Sequence, residues 1–487
     1  MKKNIVFIMA DDMGAWAMNC AGNKDIITPN LDQLAVNGIR YDNFFCTSPV
    51  CSPARASIAT GTMPSFHGVH DWIAKGNVDT SKYDTPESNY QFPTKDTGID
   101  YLEGIDTYME HLGRAGYKCS LSGKWHLGSN DEMKEGFNQW YTIATGGCWY
   151  YAAETYENGQ FQLNKEYITD SITNKAIDYI KDFKSQEDPF YLSVHYTAPH
   201  SPWDPDNHPD EYLEMYRDCE FSATPDLPVH NDQVASAPVG DTKEARTENL
   251  TGYYASITAM DAGIGKIMEE LEKSNQLDNT VIIFTSDNGM NMGHHGIWGK
   301  GNGTYPPNMF DSSIKVPFII SGVENDMKNT VSQKYATHCD VFPTILEIAG
   351  IPYTPHDKQP GVSLYSPNSQ QEVIICDEYG IVRMIRTKEH KFIKNYKTSK
   401  EEFYDISKDI DETNDLIDNS EYQTIIKELR EKLESWFTQY GSEQNSGIKC
   451  DVRGGGQFKL CHEDASFNTE LKFYHKHREG DNIPSNK

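Results

Sequence analysis

The chain has 487 residues, of which 37% are hydrophobic, and a formal net charge of -28 at pH 7. This length is enough for one large domain with a smaller partner or for two domains, and the composition is that of a folded protein. The negative charge argues against nucleic acid or an anionic membrane surface as the main partner, because both favour basic proteins. An anionic substrate would therefore need a local pocket of positive charge.

The first apolar run, residues 5–10, follows two lysines but is too short for the core of a secretory signal, and it ends in two aspartates. No other window reaches membrane-spanning length. The ten cysteines form no Cys-x-x-Cys pair, which suits a reducing compartment better than a disulfide framework. We therefore expect a first buried strand, no membrane partner and a cytoplasmic protein.

Short apolar runs alternate with amphipathic stretches over the first 350 residues, which is typical of an α/β fold with a mainly parallel sheet flanked by helices. Strands are predicted at residues 5–9, 118–121, 190–195, 281–285 and 316–320. Helices are predicted at residues 29–38, 107–115, 168–183 and 244–273. Thr28 is a possible cap of the first helix, and Gly38 its stop. Because ligands of open α/β sheets bind beyond the carboxyl ends of strands, we expect the chemistry in the loops that follow.

A proline-rich connection after Gly350 leads into a region of different character. Strands are predicted at residues 373–378, 383–387 and 391–395, followed by a helix at 422–437. We therefore predict a catalytic α/β domain over residues 1–360 and a C-terminal subdomain over 361–487, with an antiparallel sheet, a helix and a tail. The tail after Gly441 is expected to cover the larger domain.

The loops after two predicted strands carry oxygen-bearing side chains. Asp11 and Asp12 follow the first strand, and Asp287 and Asn288 follow the strand at 281–285. Either pair alone fits a turn or a solvated loop as well as a ligand site. Because hard divalent cations prefer several oxygen ligands, the two pairs at matching strand ends together favour a metal site.

Lysines and histidines cluster after three predicted strands. The clusters are Lys124 and His126 in SGKWHLG, His195 and His200 in HYTAPHSP, and His294, His295 and Lys300 in GHHGIWGKGNG. In an extended chain, Lys124 and His126 would point to the same side. A single cluster is most simply a surface lysine beside a packed histidine, but three in so acidic a chain indicate an anion-binding pocket. An oxyanion next to a divalent metal indicates phosphoryl or sulfuryl transfer.

The stretch CSPARASIATG places Cys51 two residues before a proline. Pro53 suits the first position of a helix, so Cys51 is expected just before a helix start, where the helix dipole and free N–H groups favour an anion. Arg55 can fold back over the same site. From the residues alone, Cys51 fits either a low-pKa thiolate nucleophile or a small buried residue at a helix cap.

This stretch resembles the signature of the type I sulfatases of the alkaline phosphatase superfamily, C-x-P-x-R followed by Thr60 and Gly61. In that family the cysteine is oxidised after translation to formylglycine. Six further stretches resemble family motifs in the family's order: FIMADDMG, SGKWHLG, APHSP, TSDNG, HHGIWGKGNG and VPFIISG. The segment EEFYDISKDIDETND resembles the family's C-terminal segment more loosely. The resemblance covers most of the first 350 residues and implies a large α/β domain with a smaller C-terminal sheet.

The resemblance also implies a metal ion, calcium rather than magnesium. Its implied ligands are Asp11, Asp12, Asp287, Asn288 and the modified Cys51. The hydrated aldehyde of residue 51 would be the nucleophile, and Arg55 and the metal would hold it as an oxyanion.

The remaining catalytic roles are implied in the same way. Lys124, Lys300 and His200 would hold the sulfate group, and His200 would protonate the departing alcohol. His126 would remove a proton from the second hydroxyl of the sulfated hydrate, which expels sulfate. His195, His294 and His295, beside matched positions, are expected in the pocket wall or in a structural role.

We therefore expect a sulfatase for a sulfated mono- or oligosaccharide, such as a glycosaminoglycan fragment, matured by a formylglycine-generating or anaerobic sulfatase-maturing enzyme. Two alternatives stay open: a phosphonate monoester hydrolase or phosphodiesterase of the same superfamily, and an inactive anion-binding homologue in which Cys51 is never converted. The sequence does not indicate which sulfate ester is cleaved. Candidates for stacking on a sugar are Trp149, Tyr150, Tyr151 and Trp203.

Overall fold

All seven residues of the first strand, β1 (Asn4–Ala10), are buried, as expected of a central strand with helices on both faces. The structure is a computed structural model that describes residues 2–82, 96–184, 188–234, 237–324, 327–367, 370–377, 381–449 and 456–461. Within these ranges no helix is both long and apolar enough to cross a membrane.

The strands after β1 are β2 (Gly38–Phe45), β3 (Lys118–Gly123), β4 (Phe137–Ile143), β5 (Ala153–Glu157), β6 (Gln160–Asn164), β7 (Phe190–His195), β8 (Thr280–Ser286), β9 (Asn291–Met292), β10 (Trp298–Gly299), β11 (Phe318–Ser321), β12 (Thr330–Thr337), β13 (Glu372–Asp377), β14 (Val382–Thr387), β15 (His390–Asn395) and β16 (Glu401–Asp405). The α-helices are α1 (Pro29–Val36), α2 (Cys51–Thr60), α3 (Pro64–His67), α4 (Tyr108–Arg114), α5 (Ile168–Phe183), α6 (Asp210–Glu214), α7 (Lys243–Lys273), α8 (Asp311–Ile314), α9 (Val341–Ile348) and α10 (Gln423–Tyr440).

Ten strands form the main sheet, in the order β12-β2-β11-β8-β1-β7-β3-β4-β5-β6. Strands β8, β1, β7, β3 and β4 pair in parallel, whereas β11 and β5 run antiparallel to both of their neighbours. The prediction of a mainly parallel sheet is confirmed. The loops after β1, β3, β7 and β8 therefore meet at one edge of the sheet, whereas the carboxyl end of β11 lies at the other edge.

Helices cover both faces of the sheet because side chains alternate along each strand. Ile5 and Phe7 of β1 belong to a core that includes residues of α2, α4 and α9. Val6 and Ile8 belong to a second core that includes residues of α1, α5 and α7. The loops at the carboxyl edge are thus held by two packed layers.

Two predicted helix boundaries are wrong. Helix α1 ends at Val36, and Gly38 opens β2 instead of stopping the helix. A Cβ at Gly38 would lie 2.0 Å from the carbonyl oxygen of Ile320, so this residue allows β2 to approach β11 closely. Helix α2 begins at Cys51, two residues before the start that Pro53 predicts.

Strands β13 to β16 form a separate antiparallel sheet, as predicted, although β16 was not foreseen. Residues of α10 pack with this sheet in a third core. Lys391 of β15 is fully buried, and its Nζ lies 2.6 Å from the carboxylate of Asp311 in the large domain. This ion pair joins the second sheet to α8 of the large domain. The exact division at residue 360 stays a prediction.

Candidate active site

Four oxygen-bearing side chains lie together at the carboxyl ends of β1 and β8. Asp11, Asp12, Asp287 and Asn288 are all buried. Asp12 has a φ of 68°, a left-handed conformation that aspartate tolerates better than most residues. Its N–H donates to Asp287 Oδ1 at 3.1 Å, and Asn288 Nδ2 donates to Asp12 Oδ1 at 2.8 Å. The structure therefore brings the four predicted ligands into one cluster.

Cys51 is the first residue of α2 and faces this cluster. Its Sγ lies 3.5 Å from Asp11 Oδ1 and 3.7 Å from Asp12 Oδ1. One ligand atom from each of these three residues lies within 4.8 Å of the other two. Position 51 therefore combines a helix N-terminus with two buried carboxylates.

Arg55, one turn further along α2, neutralises part of the carboxylate charge. Its Nε and Nη2 both lie 2.9 Å from Asp287 Oδ2, and Nη2 lies 3.7 Å from Asp11 Oδ1. Nη1 donates to the carbonyl oxygen of Lys124 at 3.0 Å. The guanidinium thus fixes the end of β8 and the loop after β3 relative to α2.

Two lysines complete the charge balance. Lys124 Nζ donates to Asp11 Oδ2 at 2.6 Å, and this side chain is fully buried. Lys300 Nζ lies 2.6 Å from Asp12 Oδ1 and 2.7 Å from Cys51 Sγ. Lys300 therefore contacts Cys51 directly, and Lys124 lies on Asp11, the carboxylate that Cys51 faces.

Burial and the neighbouring charges shift the pKa values of these groups in different directions. Burial opposes ionisation of Asp287, but the positive charges of Arg55 and Lys124 hold its pKa well below the usual range. Burial raises the pKa of Asp11, although Lys124 acts in the opposite direction. Burial also raises the pKa of the Cys51 thiol despite its cationic neighbours. The hypothesis of a low-pKa thiolate at position 51 is therefore not supported by this environment.

His126 is held as a neutral imidazole with one defined tautomer. Its Nε2 lies 3.1 Å from the carbonyl oxygen of Ile73, and because a carbonyl only accepts, Nε2 carries the proton. Nδ1 is buried and has no hydrogen-bond partner among the described residues. Burial, together with the charge of Lys124, lowers the pKa of His126 well below 6.5. The unprotonated Nδ1 is therefore a proton acceptor.

Lys124 and His126 do not lie in an extended chain, so that prediction is wrong. His126 has a φ of 58°, so the chain turns through a left-handed conformation at this residue. Both side chains are nevertheless buried at the same edge of the sheet.

Two histidines lie at the carboxyl end of β7: His195 is its last residue, and His200 lies in the loop that follows. His200 Nδ1 donates to the carbonyl oxygen of Ser201 at 2.7 Å, which leaves Nε2 facing the cluster, 3.7 Å from Asp12 Oδ2. The His200 side chain is 28% exposed, so substrate can reach it. His195 Nδ1 lies 3.1 Å from the carbonyl oxygen of Lys124, and burial lowers its pKa to about 3. His195 therefore supports the backbone of a site residue.

The other predicted wall histidines pack against aromatic rings. The His294 ring lies 4.8 Å from that of Trp16, and the His295 ring stacks on Phe310 at 3.8 Å. Both contacts indicate the structural role.

Two of the four predicted sugar-stacking residues are excluded by burial. Tyr150 and Trp203 are each only 1% exposed, within the core. Tyr150 instead positions His200, because its hydroxyl donates to the His200 carbonyl oxygen at 2.8 Å. Trp149 is half-buried and Tyr151 is exposed, so these two stay candidates.

Two supporting residues were missed by the sequence analysis. The Tyr253 hydroxyl donates to the carbonyl oxygen of Asp12 at 3.0 Å and accepts from the N–H of Gly14 at 3.2 Å. His338 Nε2 lies 3.1 Å from the carbonyl oxygen of Ser286, one residue before Asp287. No local motif marks either residue, because both act through backbone groups distant in sequence.

The donor set fits a hard divalent cation. Asn288 Oδ1 is buried beside the carboxylate cluster and has no hydrogen-bond partner among the described residues. An unpaired buried amide oxygen is costly unless it binds a cation or an ordered water. Together with three carboxylates it provides the oxygen-rich environment that calcium prefers.

Comparison with known proteins agrees with this geometry. The family model described as Sulfatase matches residues 3–351, and the model described as N-sulphoglucosamine sulphohydrolase, C-terminal, matches residues 293–439. The chain belongs to the sulfatase family. It is therefore a sulfuric ester hydrolase.

Relatives of this sulfatase cover almost its whole length. An N-acetylglucosamine-6-O-sulfatase of Bacteroides thetaiotaomicron is 28% identical over 522 aligned residues, which cover 90% of this chain and 87% of that protein. The structure of BT4656 in complex with its substrate D-glucosamine-2-N,6-O-disulfate matches with a TM-score of 0.73 and 24% identity, over 93% of this chain and 100% of that one. A phosphonate monoester hydrolase of Agrobacterium radiobacter matches with a TM-score of 0.68 and 19% identity, over 93% and 99% of the chains, which shows a shared fold.

Gly146 and Gly147 of this sulfatase form a wall beside the two site histidines. A Cβ at Gly146 would lie 2.0 Å from His126 Cε1, whereas a Cβ at Gly147 would lie 3.5 Å from His200 Cε1. The first distance is a clash with a ring that is hydrogen-bonded in place, and the second is an ordinary van der Waals contact.

We predict that Gly146→Ala displaces His126 and lowers kcat for 4-nitrophenyl sulfate by about tenfold or more, since small displacements of catalytic groups are costly. Gly147→Ala is the matched control and should keep kcat within about twofold, because its added methyl group finds room. Equal kcat values for the two variants, measured at equal content of folded and modified protein, would show that the Gly146 contact does not position His126.

Proposed function

We propose that this sulfatase hydrolyses a sulfate ester of a mono- or oligosaccharide, such as a glycosaminoglycan fragment, with residue 51 converted to formylglycine and a calcium ion in the site. The observation that carries the proposal is the position of Cys51 Sγ, 2.7 Å from Lys300 Nζ and 3.5 Å from Asp11 Oδ1. A nucleophile at this position is next to carboxylates that suit a metal and to ammonium groups that suit a sulfate.

The calcium ion would be held by residue 51 and by the side-chain oxygens of Asp11, Asp12, Asp287 and Asn288. When bound, calcium supplies positive charge beside the nucleophile, and formylglycine supplies a hydrated aldehyde in place of a thiol. Arg55 is tied to Asp287 and Asp11 and keeps their carboxylates oriented.

Lys124 and Lys300 have the geometry to hold the charged oxygens of the sulfate group. Each ammonium is paired with one carboxylate at 2.6 Å, and three donors on each nitrogen leave capacity for a further anion. In an acidic chain this concentrates positive charge where a sulfate ester must bind.

The two histidines divide the proton transfers. Hydrolysis breaks one S–O bond, consumes water and yields an alcohol and sulfate. One proton must therefore reach the departing oxygen, and another must leave the second hydroxyl of hydrated residue 51 for sulfate to be released. His126 is buried and neutral with Nδ1 free, which suits the base. His200 is partly exposed, and its Nε2 faces the site, which suits the acid that protonates the alcohol.

The carbohydrate assignment is supported by the relatives. The Bacteroides protein is named as a sulfatase of N-acetylglucosamine, and the C-terminal family model is named for a sulfatase of N-sulphoglucosamine. A maturing enzyme for residue 51, either formylglycine-generating or anaerobic, is part of the same proposal. The cytoplasmic location stays a prediction from the sequence.

The first test compares matched 4-nitrophenyl esters. We expect kcat/KM for the sulfate to exceed that for a phosphodiester or phosphonate monoester, and a panel of sulfated monosaccharides to release sulfate. Preference for the phosphorus esters would support the phosphonate monoester hydrolase alternative. A residue 51 that stays a cysteine in the native host, with no turnover of either class, would support the anion-binding alternative.

The acid and base roles predict different dependence on the leaving group. A sugar alkoxide needs a proton to depart, whereas 4-nitrophenolate does not. His200→Gln should therefore lower kcat/KM for a sugar sulfate by about 10²- to 10⁴-fold and that for 4-nitrophenyl sulfate much less. His126→Gln, the matched control, should lower kcat on both substrates, because its step follows departure of the alcohol and is the same for each. The same loss on both substrates for His200→Gln would contradict its role as the acid.

A further inference from the structure

The backbone of Ile73 links the nucleophile helix to the proposed base. Its N–H donates to Ser52 Oγ at 3.1 Å, and Ser52 follows Cys51 on α2. Its carbonyl oxygen accepts from His126 Nε2 at 3.1 Å. Ile73 is itself buried, at 1% exposed. One peptide segment therefore sets where His126 lies relative to residue 51.

This segment lies outside the main sheet, and the described C-terminal residues hold it. Ile73 forms a parallel bridge with Gln457, nearly at the end of the described chain. The Gln457 N–H donates to the Trp72 carbonyl oxygen at 2.8 Å, and its carbonyl oxygen accepts from the Ala74 N–H at 2.9 Å. The two bonds clamp the residues on either side of Ile73.

The Gln457 side chain also forms hydrogen bonds with the backbone of residues 68–70, which precede Ile73. It is fully buried, and its Oε1 accepts from the N–H of His70 at 2.8 Å. Its Nε2 donates to the carbonyl oxygens of Gly68 at 2.9 Å and Lys459 at 3.0 Å. A buried amide with all these partners cannot be replaced by an apolar group without leaving backbone groups unpaired.

We infer that Gln457 is a positioning residue of the active site: by clamping the segment from Gly68 to Ala74, it holds the Ile73 carbonyl against His126 Nε2 and keeps Nδ1 free as the proton acceptor. Gln457 thereby contributes to the catalytic geometry through the backbone of Ile73. The inference rests on the proposed function for the role of His126, but its structural part does not depend on turnover.

The test combines ¹⁵N NMR of histidine-labelled full-length protein with kinetics. In the unsubstituted protein, His126 is assigned by the signals lost in His126→Gln, and it should show a protonated Nε2 and an unprotonated Nδ1. In Gln457→Met, which keeps the volume but removes the side-chain hydrogen bonds, the two ring signals should move toward each other. The kcat for 4-nitrophenyl sulfate should fall about ten- to hundredfold with KM within about twofold.

Two further variants separate positioning from simple stability. Gln457→Glu keeps an acceptor for the His70 N–H but loses the donor to Gly68. Its kcat and His126 ring signals should therefore be intermediate between those of the unsubstituted protein and those of Gln457→Met. Gln370→Ala is the matched control, because Gln370 Nε2 donates to Asp340 Oδ1 at 2.8 Å, away from the clamped segment. Its ring signals and kcat should match those of the unsubstituted protein, even if Tm falls.

Three results would overturn the inference. One is a protonated Nδ1 on His126 in the unsubstituted protein, which can be measured even if no Gln457 variant folds. Another is a Gln457→Met protein with a lowered Tm but unchanged ring signals and kcat, and the third is the same kcat loss in Gln370→Ala. If the NMR signals behave as expected but fully modified protein releases no sulfate, the proposed function fails while the positioning by Gln457 stands.

Discussion

The buried charge balance at the carboxyl edge of the main sheet is the constraint on which the rest of the site depends. The carboxylates of Asp11, Asp12 and Asp287 lie among the cationic groups of Arg55, Lys124 and Lys300. Five of these residues are buried, and the Lys300 side chain is 12% exposed. Removing one partner of a buried ion pair typically costs about 3–5 kcal/mol. Each of these charged groups has an opposite charge within hydrogen-bond distance. We propose that the same arrangement accepts a divalent cation and an anionic ester.

The topology of the sheet makes this balance possible. Parallel pairing of β8, β1, β7 and β3 brings four loops to one edge, and α2 adds position 51 and Arg55 from the side. Backbone hydrogen bonds then orient the side chains that we propose to move protons: the carbonyl oxygen of Ile73 accepts from His126, and that of Ser201 accepts from His200. In each imidazole, the nitrogen bound to a carbonyl is fixed as a donor, and the other is available for chemistry.

Features with a local signal in the sequence could be predicted, and features set by distant backbone contacts could not. The motif residues and strand ends located the charge cluster, because strand direction and residue type are both local properties. The left-handed turn at His126, the close wall at Gly146 and the clamp by Gln457 depend on parts of the chain brought together only by folding. The burial of Tyr150 and Trp203 has the same origin, since an aromatic residue in a polar stretch does not show which way it faces.

Catalysis as we propose it depends on conversion of the Cys51 thiol to an aldehyde, which makes residue 51 the nucleophile. The most direct measurement is peptide mass spectrometry across residues 51–55 of protein produced with and without a formylglycine-generating enzyme, with sulfate release measured on both samples. We predict that the peptide loses the mass expected for thiol-to-aldehyde conversion and that activity rises in proportion to the converted fraction. Activity that is the same in converted and unconverted protein would contradict it.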